Sequence, residues 1–186
     1  MSTTHATTVA APSPWLERLN GPQHETGLRI YAVIVFTHWV EHLVQAFQIY
    51  VLGWPRPQSL GLIGHYWPWV FQAEWLHYVY ALVMLIGIWL LKDGFVGREK
   101  KWWMISFALQ FWHHVEHGLL QAQHSLGFTL FGMPVPTSIL QLWIPRVELH
   151  LFYNTIVFIP MVIGMYYHLF PTAADRARHR CSCAVH

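Results

Sequence analysis

Charged residues are scarce in this 186-residue chain, in which Asp, Glu, Lys and Arg together make up 11% and apolar residues 54%. Soluble domains carry about a quarter charged residues, so this balance disfavours a water-soluble globular protein. The formal net charge is only +2 and the basic residues are scattered, which gives no indication of a nucleic-acid partner. Residence in a lipid bilayer is the natural consequence, and the length is that of one domain.

Cysteines are also rare, and the two that occur, Cys181 and Cys183, lie in the last six residues. Because only one residue separates them, they make a poor disulfide pair and cannot cross-link the fold. The chain also lacks a serine nucleophile elbow, a phosphate-binding loop and a dinucleotide fingerprint, so the enzyme classes that depend on these motifs are disfavoured. Segment 1–28 lacks the basic start and short apolar run of a signal peptide, and we predict that it is a cytoplasmic tail.

Four apolar stretches dominate the rest of the chain, at 30–52, 69–91, 102–126 and 144–170. Each is long enough for a helix that crosses a hydrocarbon core, which takes about 20 residues. Tryptophan and tyrosine collect near the ends of these stretches, as interfacial anchors do. We therefore predict an all-α integral membrane protein, with four transmembrane helices in a four-helix bundle over residues 29–171.

The basic residues indicate which side of the membrane the helix ends face. Nine of the eleven fall on the side of the chain termini, namely Arg18, Arg29, Lys92, Arg98, Lys100, Lys101, Arg176, Arg178 and Arg180. Only Arg56 and Arg146 fall on the other side. Since basic residues are enriched on the cytoplasmic side, we predict a multi-pass protein of the cell (inner) membrane with both termini cytoplasmic and a tail at 172–186.

The pattern HxxEH occurs twice inside the apolar stretches, first at 38–42 and again at 113–117. The second and fourth stretches carry further carboxylate and imidazole residues, Glu74 with His77 and Glu148 with His150, whose glutamates are separated by nearly the same offset. This periodicity predicts a duplicated helical hairpin (2+2), with repeat 1 at about 29–92 and repeat 2 at about 101–170.

Each predicted span then supplies one carboxylate and at least one imidazole to the membrane interior, where ionisable groups are costly and mark functional sites. Counting a helical rise of about 1.5 Å per residue from the helix ends places all four clusters in one layer slightly outside the midplane. Four bare carboxylates in lipid require positive charge between them, which two divalent cations would supply. The predicted ligands are Glu41, Glu74, Glu116 and Glu148 with His42, His77, His117 and His150, while His38 and His113 are additional ligands or orient the carboxylates.

Mixed carboxylate and imidazole ligation suits iron, manganese or zinc, and iron is the metal we expect in this di-metal centre. Glu74 and His77 resemble the Glu-x-x-His motif of soluble di-iron four-helix bundles, whereas Glu148 and His150 are only two residues apart and depart from it. The HxxxH spacing within 38–42 resembles a histidine box of the membrane desaturases and hydroxylases. These resemblances imply an oxidoreductase, and we expect one that acts on a lipophilic substrate or a quinone. A redox partner and a homo-oligomer are both compatible with that function.

Two other functions stay open at this point. A b-type haem electron-transfer protein would use His38 or His42 with His113 or His117 as axial ligands, which explains the histidines and leaves the glutamates without a role. A metal-ion or proton-coupled carrier would use the same residues as a transient site. The thiols and imidazoles of segment 179–186 suit copper or zinc, although an exposed tail without structure fits the sequence equally well.

Overall fold

The computed structural model describes the backbone of residues 13–185 and, apart from residues 71, 72, 184 and 185, their side chains. The first twelve residues of the predicted N-terminal tail and His186 lie outside this described part. Regular structure within it is entirely helical, which confirms the all-α prediction. The α-helices in chain order are α1 (Pro14–Leu19), α2 (His24–Tyr50), α3 (Gly61–Tyr66), α4 (Pro68–Gln72), α5 (Glu74–Leu91), α6 (Gly97–Leu126), α7 (Arg146–Leu169) and α8 (Ala173–Arg176). Short 3-10 turns lie at Arg56–Gln58, Lys92–Gly94, Leu130–Gly132, Leu140–Leu142 and Ser182–Val185.

The four long helices, α2, α5, α6 and α7, follow the four apolar stretches with shifted ends. Helix α2 begins at His24 and therefore extends into the predicted cytoplasmic tail. Helix α6 begins at Gly97, because Glu99 accepts a hydrogen bond from the Val96 N–H and caps the first turn. It ends where Gly127 takes up a left-handed conformation with φ of 68°, which glycine adopts without strain.

Three helices in residues 13–185 are long and apolar enough to cross a membrane, at His24–Tyr50, Glu74–Gly94 and Arg146–Leu169. Helix α6 is the longest of all at 30 residues, but the polar residues along it lower its hydropathy. The structure therefore supports a membrane-spanning all-α protein with three candidate spans.

Neighbouring long helices run antiparallel, with α6 packed along both α5 and α7, and α2 packed against the same two helices. Helices α2 and α6 begin, and α5 and α7 end, at one end of the bundle, which we call the terminal end. The opposite end, which carries the short helices α3 and α4, is called the loop end. Apolar core side chains fill the half nearer the terminal end, among them Leu28, Tyr31, Ile88, Trp103 and Val157.

The surface of the bundle is apolar and its interior is partly polar, the reverse of a soluble protein. On α2, Ile30, Val33 and Phe36 are each at least 60% exposed, whereas Gln45 and Gln48 are buried. Polar side chains inside the bundle bond to neighbouring helices, as when the Ser106 hydroxyl donates to the Val157 carbonyl. An apolar exterior of this extent requires lipid or protein to cover it.

Candidate metal centre

Six histidines from the four long helices meet inside the half of the bundle nearer the loop end. Three of them, which we call the histidine triad, are His113 and His117 of α6 and His150 of α7. Their potential ligand nitrogens all lie within 4.8 Å of one another, and all three residues are buried. The ring centroids are 4.6 Å apart for His113 and His117, and 5.1 Å apart for His117 and His150.

The other three histidines adjoin the triad and come from α2 and α5. His42 stacks on His150 with ring centroids 5.1 Å apart. His77 lies 6.2 Å from His117 and from His150, again between centroids. His38 contacts His42 at 4.5 Å and so lies one ring further from the triad. Depth counting along the sequence predicts that these six imidazoles meet, and the structure brings them together.

Hydrogen bonds to Nδ1 fix the orientation of three of these rings. The Nδ1 atom of His150 lies 2.7 Å from the Arg146 carbonyl, and that of His77 lies 3.1 Å from the Ala73 carbonyl. Because a carbonyl oxygen only accepts, Nδ1 carries the proton in both rings and Nε2 keeps its lone pair. The buried Nε2 atom of His150 has no hydrogen-bond partner among the described residues.

His42 is oriented by an amide in the same way. Its Nδ1 atom lies 2.9 Å from Oε1 of Gln45, whose Nε2 group donates to the Ser59 carbonyl at 2.8 Å. That second bond sets the direction of the Gln45 amide, so Oε1 is the atom that faces the histidine. Imidazoles held through one ring nitrogen are typical of metal ligands.

The carboxylates of the two HxxEH motifs, Glu41 and Glu116, accept hydrogen bonds from residues at the loop end of the bundle. Oε1 of Glu41 accepts hydrogen bonds from the N–H groups of Ile63 and Gly64 at 2.7 and 3.2 Å. Glu116 accepts from the Ser138 hydroxyl at 2.6 Å and from the Leu140 N–H at 3.1 Å. Each of these two carboxylates therefore has hydrogen-bond donors within the protein and does not require a bound cation.

The other two carboxylates pair with the two arginines of the loop end. Both terminal nitrogens of Arg146 donate hydrogen bonds to the Glu74 carboxylate, one of them at 2.7 Å. Glu148 accepts from Arg56 at 2.5 Å and from the Tyr50 hydroxyl. The hydrogen bond from Arg56 to the Glu148 carboxylate raises the pKa of the exposed guanidinium above its usual value. Thus the structure brings together the predicted imidazole ligands, and it places the four predicted glutamate ligands with other partners.

The two predicted repeats make matching contacts at the offset that relates the two HxxEH motifs. Gln48 bonds to Gly61 through both the N–H and the C=O of that residue, at 2.9 and 3.1 Å. Gln123 makes the same pair of bonds to Thr137, at 3.2 and 2.9 Å. Glu41 and Glu116 are separated by the same offset as Gln48 and Gln123, and they bond to corresponding segments. A duplicated hairpin would produce such matched contacts.

A partly open cavity of about 200 Å³ adjoins the histidines between α2, α5 and the two short loop-end helices. Its wall is largely carbon, and the histidines among its lining residues are His38, His42 and His77. Tyr80 stacks on His38 at its inner side, with ring centroids 4.2 Å apart. The lining residues are Thr37, His38, Glu41, His42, Ile63, Val70, Leu76, His77 and Tyr80.

A second group of potential metal ligands lies at the terminal end, formed by His24, His168, Cys181 and Cys183. The sequence indicated only the two cysteines. It places His24 in the tail, but the offset that relates His38 to His113 also relates His24 to Glu99, which is buried in the same place. Applying the repeat offset to every ionisable residue would have related His24 to Glu99. A hydrogen bond from the Cys183 thiol lowers the pKa of Cys181 well below that of a free thiol.

Comparison with known proteins gives no relatives from which a function can be transferred. No protein-family model matches the chain, and neither a curated protein nor a solved structure matches it. The site chemistry described above therefore carries the functional conclusion. Within the described residues it establishes buried histidine, glutamate and cysteine groups that can hold a metal ion.

Proposed function

We propose that this protein is a four-span membrane metalloprotein that binds a redox metal ion at the histidine triad and transfers electrons to or from a lipophilic substrate or a quinone. The observation that carries this proposal is the meeting of three buried imidazoles whose ligand nitrogens lie within 4.8 Å of one another. Buried lone pairs without donors are costly, and a bound cation removes that cost.

The fourth span in this proposal is α6. Its polar residues Gln110, Glu116 and Gln123 are buried, whereas Phe111 and Trp112 are exposed. A 30-residue helix is about 45 Å long, enough for a hydrocarbon core of about 30 Å. Helix α6 would thus face lipid with apolar side chains and the bundle with polar ones. With the basic residues of the terminal end in the cytoplasm, both termini lie there.

The donor set favours copper over the iron expected from the sequence. Iron was expected because carboxylates and imidazoles were combined in one site, but the carboxylates bind elsewhere in the bundle. Nitrogen donors alone suit copper, zinc, iron or nickel, and affinity among the divalent ions peaks at copper. Zinc has no redox chemistry, so an oxidoreductase would use copper, iron or nickel, and of these copper has the highest affinity. The triad accounts for one ion, and the second ion predicted from the sequence would require His38, His42 and His77.

The cavity next to the histidines supports a lipophilic substrate. Its volume of about 200 Å³ is below that of a site that encloses a drug-sized ligand, but it fits a single ring. A quinone could place its ring there while its tail stays in the lipid. His38, His42 and His150 then form a row of contacting rings from the cavity to the triad, with steps of 4.5 and 5.1 Å. This row gives protons and electrons a short route.

Direct contact between the imidazoles favours a metal ion over haem. A haem must lie as a flat macrocycle between its two axial histidines. Here His42 stacks directly on His150, and His113 contacts His117, so the rings fill the space themselves. The haem function proposed from the sequence would need these helices to separate.

The proposal is tested by metal content and quinol oxidation of the full-length protein in lipid nanodiscs. We expect the wild type to retain copper and to oxidise a short-chain quinol with oxygen or an added acceptor as oxidant. His117→Ala should lose that metal and reduce turnover at least tenfold, because two imidazoles hold the ion less well than three.

The matched control is His124→Ala, which removes an exposed histidine from the same helix. It should retain both metal and turnover. A Soret band in the wild type would replace this proposal with the haem function. A metal-free protein that moves ions across liposomes would replace it with the carrier.

A further inference from the structure

The second ligand group joins three separate parts of the chain at the terminal end. His24 begins α2, His168 lies in the last turn of α7, and Cys181 and Cys183 follow α8. One ligand atom from each of these four residues lies within 4.8 Å of all the others. Around Zn²⁺, bond lengths of about 2.0–2.3 Å put tetrahedral ligand atoms roughly 3.3–3.8 Å apart, so small shifts would close the site.

Both histidines are oriented as metal ligands are. Nε2 of His24 lies 3.0 Å from the Leu91 carbonyl, which makes it the protonated nitrogen, and Nδ1 lies 3.9 Å from the Cys183 sulfur. Nε2 of His168 lies 3.4 Å from the Cys181 sulfur. The opposite nitrogen of His168, Nδ1, lies 3.2 Å from a carboxylate oxygen of Glu99. A carboxylate or carbonyl behind a ligating imidazole is the usual outer partner of a metal site.

Hydrogen bonds of Ser182 hold the C-terminal segment that carries Cys181 and Cys183 close to His24 at the start of α2. The Ser182 N–H donates to the Gly21 carbonyl at 3.1 Å, and the Ser182 hydroxyl accepts from the Glu25 N–H at 3.3 Å. Cys181 is 3% exposed, and both His24 and His168 are fully buried. Three of the four ligands are therefore shielded from water while Cys183 is half-buried, and two thiolates would balance the charge of a divalent cation without further groups.

We propose that His24, His168, Cys181 and Cys183 bind one Zn²⁺ ion, which fastens the C-terminal segment to the terminal end of the bundle. Two thiolates and two imidazoles in a closed tetrahedral arrangement are a donor set of structural zinc sites. This site is separate from the histidine triad, because the part of α2 between His24 and His42 spans about 27 Å. It does not depend on the redox function.

Glu99 and His179 form a competing set with His168. Oε1 of Glu99 lies 2.9 Å from Nε2 of His179 and also accepts from the Val96 N–H. Only the Val96 N–H donates a hydrogen bond to this carboxylate among the described residues, and Oε2 has no partner there. The carboxylate faces the nitrogen of His168 opposite to the sulfur. The zinc proposal accordingly assigns Glu99 to positioning His168, and gives His179 no ligand role.

The test is the zinc content of the full-length protein, with Co²⁺ substitution as a second readout. We expect one zinc per chain in the wild type, and a thiolate-to-cobalt absorption band after exchange. The double variant Cys181→Ser with Cys183→Ser should lose both signals while it keeps the metal of the triad. His179→Gln should keep both signals, since His179 is not a ligand.

A third readout covers the case in which the cysteine variant fails to fold. Removing zinc from the wild type with a chelator should make Cys181 at least tenfold more reactive toward an alkylating reagent, and added Zn²⁺ should reverse this. Wild-type protein without zinc at this site, or loss of zinc in His179→Gln, would overturn the proposal.

Discussion

At the residue scale, buried carboxylates and buried imidazoles have different partners in this protein. Glu116 is held by the hydroxyl of Ser138 and the N–H of Leu140, both in the segment that follows α6. Only 2% of Glu116 is exposed, so those donors replace water. His117, the next residue, directs its ring to His150 instead. Glu116 thus stabilises the fold, whereas the adjacent residue His117 contributes to the candidate metal site.

Glu116→Gln distinguishes these roles. Because the amide keeps an acceptor oxygen but loses the charge, we expect about 1–3 kcal/mol less stability, with the metal retained. Thermal unfolding in nanodiscs and metal analysis of the same sample measure both quantities. If Glu116 were a ligand, as the sequence predicts, the metal would be lost. His117→Ala provides the opposite pattern, with metal lost and the connection to Ser138 intact.

At the element scale, the long helices approach one another through small residues and polar side chains. Gly87 of α5 lies against Tyr31 of α2, whose ring would be 2.4 Å from an added Cβ. The Tyr31 hydroxyl also donates to the Met84 carbonyl, so the ring cannot move away freely. Such close contact between backbone and aromatic ring fixes the spacing of α2 and α5.

Gly87→Ala and Gly118→Ala form a matched pair of helical substitutions. The first should cost about 1–3 kcal/mol, because a tightly packed contact must open. The second meets nothing nearer than Tyr78 at 3.8 Å, so the higher helix propensity of alanine should stabilise α6 by up to about 1 kcal/mol. Thermal unfolding of both variants in one lipid gives the comparison. Equal effects would show that α2 and α5 do not pack as described.

The positions of these helices were largely predictable, and the partners of their polar groups were not. Apolar stretches marked the helices, while counting residues from the helix ends placed six histidines in one layer. Backbone N–H donors such as those of Ile63 and Leu140 cannot be identified from a sequence, because almost every residue has an N–H group. The two glutamates that bind them therefore looked like unpaired charges that needed a metal.

The ion pairs were partly predictable. Arg56 and Arg146 were identified as the two basic residues of the outer side, but which carboxylate each would meet depends on how α2 and α7 pack. Glu74 pairs with Arg146 and Glu148 pairs with Arg56, so each ion pair joins the two predicted repeats. Once these pairs form, the need for cations between the carboxylates disappears.

At the scale of the whole molecule, four spans require that α6 cross the bilayer although its mean hydropathy is low. Single cysteines at Gln58, Asp93 and Gly132 test this in a background with Cys181→Ser and Cys183→Ser. We expect an impermeant thiol reagent added outside intact cells to label positions 58 and 132 and to leave 93 unlabelled. Labelling of position 58 without position 132 would show that α6 does not cross the membrane.

The central claim is that imidazoles of three buried histidines hold a metal ion. X-ray absorption at the metal edge tests it most directly, on full-length protein with Cys181→Ser and Cys183→Ser so that only the triad contributes. We expect a first shell of nitrogen at about 2.0 Å, with the outer scattering of imidazole rings, that disappears in His117→Ala. A first shell of carboxylate oxygen, or a folded protein that holds no metal, would contradict it.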